Sequence, residues 1–130
     1  MNLESEISVK DTQGMLAGRA EDLLLLDVRK LEEFRYCRIT GAVLVPMSEL
    51  PAKLDELREL SDGKQIIAYC HHGIRSRSAA AFLRDAGLNV RSMSGGIDAW
   101  SQEIDPTVPL YCFCRPWRFS QTSSTSGLRK

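Results

Sequence analysis

The chain has 130 residues with 17 acidic and 17 basic side chains, so its formal charge at pH 7 is zero. That length fits one domain with its own core, and the 43% hydrophobic and 26% charged composition is that of an ordinary soluble protein. Because general polyanion binders usually carry a large basic excess, the zero balance argues against nucleic acid as a partner.

The sequence shows no sign of a membrane anchor or a secretion signal. The longest fully apolar run near the N-terminus, residues 23–26, is far shorter than the roughly 20 residues that cross a bilayer. Residues 1–10 have neither the basic nor the apolar region of a signal peptide. We therefore expect a cytoplasmic protein without membrane contact, whose cysteines are free, catalytic or metal-binding rather than paired.

Apolar runs of strand length alternate with amphipathic segments in the first half of the chain. We predict strands at residues 7–9, 23–26 and 42–45, with helices at residues 12–19 and 31–36. A third helix is expected with Ser48 as its N-cap, because Leu50, Leu54 and Leu57 recur on one helical face.

The second half continues this alternation and contains the clearest helix. Strands are predicted at residues 65–69 and 89–93. Between them, a helix capped by Ser76 or Ser78 is expected to end with Gly87 at its C′ position. Its apolar positions follow the i, i+3, i+4, i+7 pattern: Ala79, Phe82, Leu83 and Ala86.

A last amphipathic turn or two is marked by Ile97, Trp100 and Ile104. Strands that alternate with helices predict an α/β fold, in which a mostly parallel sheet of about five strands is flanked by helices on both faces.

The composition changes after residue 104. Residues 105–130 carry three more basic than acidic side chains, and residues 121–127 form a Ser/Thr-rich run that cannot build a core. We therefore predict one domain over residues 1–104 and a flexible or disordered extension over residues 105–130.

The segment after the strand at residues 65–69 has the features of a thiolate site. In open α/β sheets, ligands bind beyond the carboxyl ends of the strands, and Cys70 stands there. Gly73 lets the backbone curl so that its N–H groups face one centre, and the following helix, Arg75 and Arg77 add positive charge. We predict Cys70 as a nucleophile; the alternative is a small buried hydrophobe, the commoner state of a free cysteine.

The chain contains several ordered motifs: LLLLDVRKLEEF with Asp27 and Arg29, CRITGAVLVP, the loop CHHGIRS, and MSGGIDAW followed by IDPTVP. Together they resemble the motifs of the single-domain rhodaneses, thiosulfate sulfurtransferases, over about residues 5–110. Arg38 and Thr40 depart from the family's GHIPGA, so that segment's role is open. The resemblance implies a rhodanese-like fold and a persulfide mechanism without metal or organic cofactor.

In that mechanism, Cys70 takes the outer sulfur of a small anionic donor such as thiosulfate and passes it to cyanide, a small thiol or a protein cysteine. The resemblance assigns the binding of the anionic persulfide to the loop residues His71, His72, Gly73, Ile74, Arg75 and Ser76. A monomer or weak dimer is expected.

Two other classes stay open. One is a non-catalytic or relay module that keeps the fold for docking. The other is a cysteine phosphatase or arsenate reductase, whose loops carry C-x5-R, whereas only four residues separate Cys70 from Arg75 here. A phosphatase also needs an acid for its leaving group, and the loop has no Asp or Glu in or beside it.

The charged residues near the loop allow two uses each. Arg75 either contacts the anionic sulfur donor or ties the loop to Asp27 or Glu33, and we prefer the first of these predictions. Asp27 bonds loop amides or caps a turn, and Arg29 provides a donor-site charge or a surface ion pair. His71 and His72 are expected to provide backbone N–H groups, because adjacent ligands in a tight loop seldom suit tetrahedral zinc.

The remaining cysteines have weaker assignments. Cys37 is predicted to pack in the core. Cys112 and Cys114 form a C-x-C pair in the tail that either relays sulfur, acts in redox chemistry, or belongs to a disordered or processing-derived extension, which we prefer.

Overall fold

A computed structural model describes residues 5–111 of the chain. These residues form one five-stranded, all-parallel sheet with the order β1-β5-β4-β2-β3. The strands are β1 (Glu6–Ile7), β2 (Leu23–Asp27), β3 (Val43–Leu44), β4 (Gln65–Tyr69) and β5 (Val90–Met93). The helices are α1 (Val9–Arg19), α2 (Leu31–Tyr36), α3 (Leu54–Leu60), α4 (Ile74–Asp85) and α5 (Gly96–Glu103). The predicted α/β fold is confirmed.

The two central strands are buried on both faces. β2 and β4 pair from Leu23 opposite Gln65 to Asp27 opposite Tyr69, so their alternating side chains build two separate cores. One core contains Leu25 and Tyr69 with residues of α1 and α5: Val9, Ile97 and Trp100. The other contains Leu26 and Ala68 with residues of α3 and α4: Leu57, Ala79, Ala80 and Leu83.

Helix α4 begins earlier than predicted. Gly73 is its N-cap with a φ of 105°, and the amide of Arg77 donates the first helical hydrogen bond to the Gly73 carbonyl at 3.2 Å. The prediction that Ser76 or Ser78 caps this helix is wrong, because the positive φ of Gly73 turns the loop directly into the helix. At the other end Gly87 occupies the C′ position as predicted, with a φ of 95°.

The helix predicted after Ser48 is interrupted. A 3-10 turn spans Met47–Glu49, and α3 begins only at Leu54, so the assignment of Ser48 as an N-cap is wrong. Pro51 has no N–H to donate in the intervening turn, which separates the two segments.

Of the predicted C-terminal extension, the structure describes residues 105–111. Val108 and Tyr111 are buried in the core that contains Trp100, and the Ser101 hydroxyl donates a hydrogen bond to the Val108 carbonyl. The boundary at residue 104 remains a prediction, and the predicted roles of Cys112 and Cys114 lie outside the described residues. Between residues 5 and 111, no helix is long and apolar enough to cross a membrane.

Candidate active site

Cys70 lies at the carboxyl edge of the sheet, directly after β4, and is 1% exposed. Its Sγ accepts hydrogen bonds from the Gly73 amide at 3.1 Å and from the Ser76 amide at 3.3 Å. Both donors lie where the loop enters α4, so the positive end of the helix dipole points at the sulfur. Backbone N–H groups in this arrangement can bind a negatively charged sulfur.

A pair of hydroxyl groups lies behind the sulfur. The Ser76 Oγ is 3.6 Å from the Cys70 Sγ and 2.7 Å from the Ser92 Oγ of β5, and it donates to the Gly73 carbonyl at 3.2 Å. Both serines are buried. Ser76 was predicted as a loop residue, whereas sequence analysis misses Ser92, because strand pairing and not sequence distance brings it to the loop.

The backbone at the start of α5 forms one wall of the loop. The amides of Ile97 and Asp98 donate to the carbonyls of Cys70 and His71 at 2.8 and 3.0 Å. A Cβ on Gly96, whose φ is 61°, would collide with both carbonyl oxygens. Only a residue without a Cβ therefore fits at the second glycine of the MSGGIDAW motif.

Arg75 forms a two-pronged ion pair with Glu33 of α2. Its Nη1 and Nη2 donate to the two carboxylate oxygens at 2.8 and 2.9 Å. Burial opposes ionisation of Glu33, but hydrogen bonds from Arg75 and the Lys30 amide outweigh it and lower the pKa of Glu33 to about 2. Of the two predicted uses of Arg75, the structure contains the tie to Glu33, and 36% of the Arg75 side chain remains exposed.

Asp27 and Arg29 form a second pair, in which both side chains are completely buried. Asp27 accepts hydrogen bonds from the Arg29 amide at 3.0 Å and from its Nε at 2.9 Å, so it caps the turn after β2. The alternative of a surface ion pair for Arg29 is wrong, because strand β2 ends inside the core. Arg29 Nη2 also donates to the Cys37 carbonyl at 2.6 Å, next to the buried Cys37 thiol.

The two loop histidines stack on each other. Their ring centroids are 3.9 Å apart with an interplanar angle of 25°, and both Nε2 atoms face the carboxylate of Asp98 at about 4 Å. Burial and neighbouring His72 lower the pKa of His71, so its ring is neutral at pH 7.

The same three side chains form a cluster of potential metal ligands. The ligand atoms of His71, His72 and Asp98 lie within 4.8 Å of one another. The two histidines are adjacent in a tight loop, an arrangement that seldom suits the tetrahedral geometry of zinc.

Sequence analysis also misses Tyr111, which the structure places against the loop. The Tyr111 ring stacks on His71 with centroids 3.9 Å apart, and its hydroxyl lies between Arg29 and Glu33. A signal was available, because the resemblance runs to residue 110 and thus past the predicted boundary at residue 104.

The fold and the loop together define a parallel α/β domain with a buried cysteine at the carboxyl edge of its sheet. A family model described as the rhodanese-like domain matches residues 8–103. The chain belongs to the rhodanese-like domain family.

Individual relatives agree with this assignment. The chain is 36% identical over 101 residues to the adenylyltransferase and sulfurtransferase MOCS3-2 of Zea mays, a match that covers 74% of this chain and 21% of that protein. This chain therefore spans about a fifth of that relative's length.

Solved structures show the same fold. A rhodanese-related protein from Thermoplasma volcanium is 33% identical with a TM-score of 0.66, and the match covers 82% of this chain and 98% of that one. A thiosulfate sulfurtransferase from Pseudomonas aeruginosa is 27% identical with a TM-score of 0.66, over 75% of this chain and 18% of that one.

Proposed function

We propose that the protein is a sulfurtransferase that moves sulfane sulfur through a persulfide on Cys70. The observation that carries this proposal is the pair of amide hydrogen bonds from Gly73 and Ser76 to the buried Cys70 sulfur. A sulfur held in this way is positioned to act as a nucleophile. Membership of the rhodanese-like family supports the same chemistry.

The first half-reaction loads the enzyme. The Cys70 thiolate attacks the outer sulfur of thiosulfate, the bond between the two sulfur atoms breaks, and sulfite leaves with the electron pair. The product is the anionic persulfide Cys70–S–S⁻. Amides of His71, His72, Gly73, Ile74, Arg75 and Ser76 are proposed to hold it, because a ring of N–H groups stabilises an anion without a metal or organic cofactor.

The second half-reaction unloads it. A thiolate or cyanide attacks the terminal sulfur, the bond within the persulfide breaks, and the electron pair returns to the Cys70 sulfur. The acceptor leaves as a persulfide or as thiocyanate. Two half-reactions on one nucleophile predict ping-pong kinetics.

Arg75 has a double role in this proposal. Its guanidinium has five N–H donors, of which Glu33 takes two, and its side chain is 36% exposed. The remaining N–H groups attract an anionic sulfur donor such as thiosulfate or a small persulfide. Asp27 and Arg29 are completely buried, so in this proposal they support the site without contacting the sulfur donor.

The acceptor is proposed to be a thiol, either small or a protein cysteine. The name of the Zea mays relative combines adenylyltransferase and sulfurtransferase activities, and this chain corresponds to about a fifth of it. By analogy, the chain supplies the sulfur-transfer step. A cytoplasmic monomer or weak dimer without nucleic acid or membrane partners is part of the same proposal.

Mass spectrometry of the intact protein tests this function. Wild-type protein incubated with thiosulfate should gain the mass of one sulfur atom, and the adduct should map to the Cys70 peptide and disappear on treatment with cyanide. The Cys70→Ser variant should gain none. We expect Cys70→Ala to lower thiocyanate production roughly 100-fold or more, because the covalent step is lost. An unmodified wild-type protein, or turnover of an aryl phosphate or arsenate faster than of thiosulfate, would contradict the proposal.

A further inference from the structure

Tyr111 lies beyond residue 103, where the family match ends, yet it is 8% exposed and belongs to the core. Its hydroxyl accepts a hydrogen bond from Arg29 Nη1 at 2.8 Å and donates one to Glu33 Oε2 at 3.0 Å. One hydroxyl thus joins two ion pairs, the buried pair of Asp27 with Arg29 and the partly exposed pair of Glu33 with Arg75.

The ring of Tyr111 makes a second contact with the loop. It stacks on His71 with an interplanar angle of 6°, and the edge of Tyr36 packs against it with centroids 5.8 Å apart. His71 follows the nucleophile directly. Tyr111 therefore contacts the loop at its first residue through the ring and, through Glu33, at Arg75 near its end.

These two contacts lie close in sequence to both amides that bind the sulfur. The Gly73 amide lies between His71 and Arg75, and the Ser76 amide directly follows Arg75. A shift of either anchor changes the distance between the amides and the Cys70 sulfur. We propose that Tyr111 is a positioning residue of the active-site loop, so that residues 105–111 are part of the catalytic domain.

The hydroxyl group is necessary for this role. Burial raises the pKa of Tyr111, so the hydroxyl stays protonated and donates to Glu33 throughout the pH range of the reaction. A phenylalanine would keep the stack on His71 but would leave Arg29 Nη1 with only the distant Cys37 sulfur, 3.9 Å away, as an acceptor. Glu33 would lose one of the donors that fix its orientation toward Arg75.

The experiment compares Tyr111→Phe and Tyr111→Ala with wild type in the full chain. Leu110→Ala is the matched control, because its side chain is 55% exposed in the same segment. The first readout is the pH dependence of Cys70 alkylation by iodoacetamide, followed on the Cys70 peptide by mass spectrometry. The second is the rate of sulfur loading from thiosulfate, and the third is thermal unfolding.

We expect the midpoint pH of Cys70 alkylation to rise in both variants, more in Tyr111→Ala, because weaker amide contacts stabilise the thiolate less. Sulfur loading at neutral pH should fall roughly threefold in Tyr111→Phe and roughly tenfold in Tyr111→Ala, as for loss of one and several weak contacts. Leu110→Ala should match wild type in all three measurements.

A folded Tyr111→Phe variant with the wild-type alkylation midpoint would overturn the proposal. This holds even if its unfolding temperature fell, because a residue that matters only for stability would give that result. If Tyr111→Ala does not fold, Tyr111→Phe decides alone. The inference rests on the proposed function, because it concerns the active site of the proposed sulfurtransferase. Alkylation needs no sulfur transfer, however, so failure of wild type to accept sulfur would refute the function and leave this test intact.

Discussion

Arg75 of the active-site loop is bound by the buried carboxylate of Glu33 through two nearly equal hydrogen bonds, 2.8 and 2.9 Å long. The pair joins helix α2 to the loop that carries the nucleophile. Because Glu33 is completely buried while Arg75 is partly exposed, the carboxylate depends on this partner more than the guanidinium does.

Glu33→Gln should therefore destabilise the fold. The new amide group turns an N–H donor toward the donors of Arg75 or Tyr111 and leaves Arg75 without its counter-charge. We expect the free energy of unfolding to fall by about 2 kcal/mol, less than for a fully buried pair because Arg75 is partly solvated.

Urea unfolding measures this change. The control is Glu56→Gln, which removes an exposed pair with Lys53 at 3.5 Å and should cost less than about 0.5 kcal/mol. Equal effects of the two substitutions would show that the buried pair contributes no more than a surface one.

The ion pair between Glu33 and Arg75 should also affect how the stability of the fold depends on pH. Glu33 has its pKa lowered from 4.5 to about 2 in the folded protein, so its contribution is fully present above pH 4.5 and is lost as the pH falls toward 2. Between these values, the unfolding free energy of wild type should decrease more steeply than that of Glu33→Gln. Curves that run parallel from pH 5 to pH 2 would contradict this assignment of the pKa.

Burial of His71 predicts a second loss of stability on acidification, which begins at a higher pH than the loss that involves Glu33. Its pKa is lowered in the fold, so the unfolded chain binds a proton more readily, and stability present above the ordinary value of 6.5 is lost as the pH falls below it. His71→Phe keeps a ring against Tyr111 but cannot be protonated. Its unfolding free energy should change less between pH 7 and pH 5 than that of wild type, as measured by urea unfolding at each pH. A decrease as large as in wild type would be inconsistent with a buried neutral His71.

The sequence predicted what depends on local pattern. The runs at β2 and β4 and the periodicity of α4 predicted the parallel sheet, and the loop composition singled out Cys70. Sequence analysis missed what depends on long-range contact. The bond between Ser76 and Ser92 joins residues 16 positions apart, and that between Tyr111 and Glu33 joins residues 78 apart. The caps at Ser48 and Ser76 were wrong because Pro51 and the positive φ of Gly73 outweigh a serine's preference for N-cap positions.

Gly96 should tolerate no side chain. A Cβ there collides with the carbonyl oxygens of Cys70 and His71, which are backbone atoms and cannot rotate away, and the φ of 61° is unfavourable for alanine. We expect Gly96→Ala to lower sulfur transfer at least roughly tenfold, because the loop must move away from the amides of α5.

The matched control is Gly14→Ala in helix α1, where a Cβ meets no atom within 4 Å. Alanine there should leave activity unchanged and stabilise the helix by about 0.5 to 1 kcal/mol. If Gly96→Ala kept full activity while folded, the close approach of α5 to the loop would not matter for catalysis.

Ser92 should affect the reaction without touching the sulfur. Its hydroxyl is 2.7 Å from the Ser76 hydroxyl, which in turn lies 3.6 Å from the Cys70 Sγ. The Ser76 hydroxyl already donates to the Gly73 carbonyl at 3.2 Å, and Ser92→Ala removes the second contact that fixes it beside the sulfur. We expect sulfur loading to slow roughly fivefold, corresponding to one hydrogen bond of about 1 kcal/mol. Ser94→Ala is the control, since that hydroxyl donates a hydrogen bond to the partly exposed Glu6 instead. The rate of sulfite release measures sulfur loading. Equal rates for both variants would show that the hydroxyl pair does not help to hold the Cys70 sulfur in place.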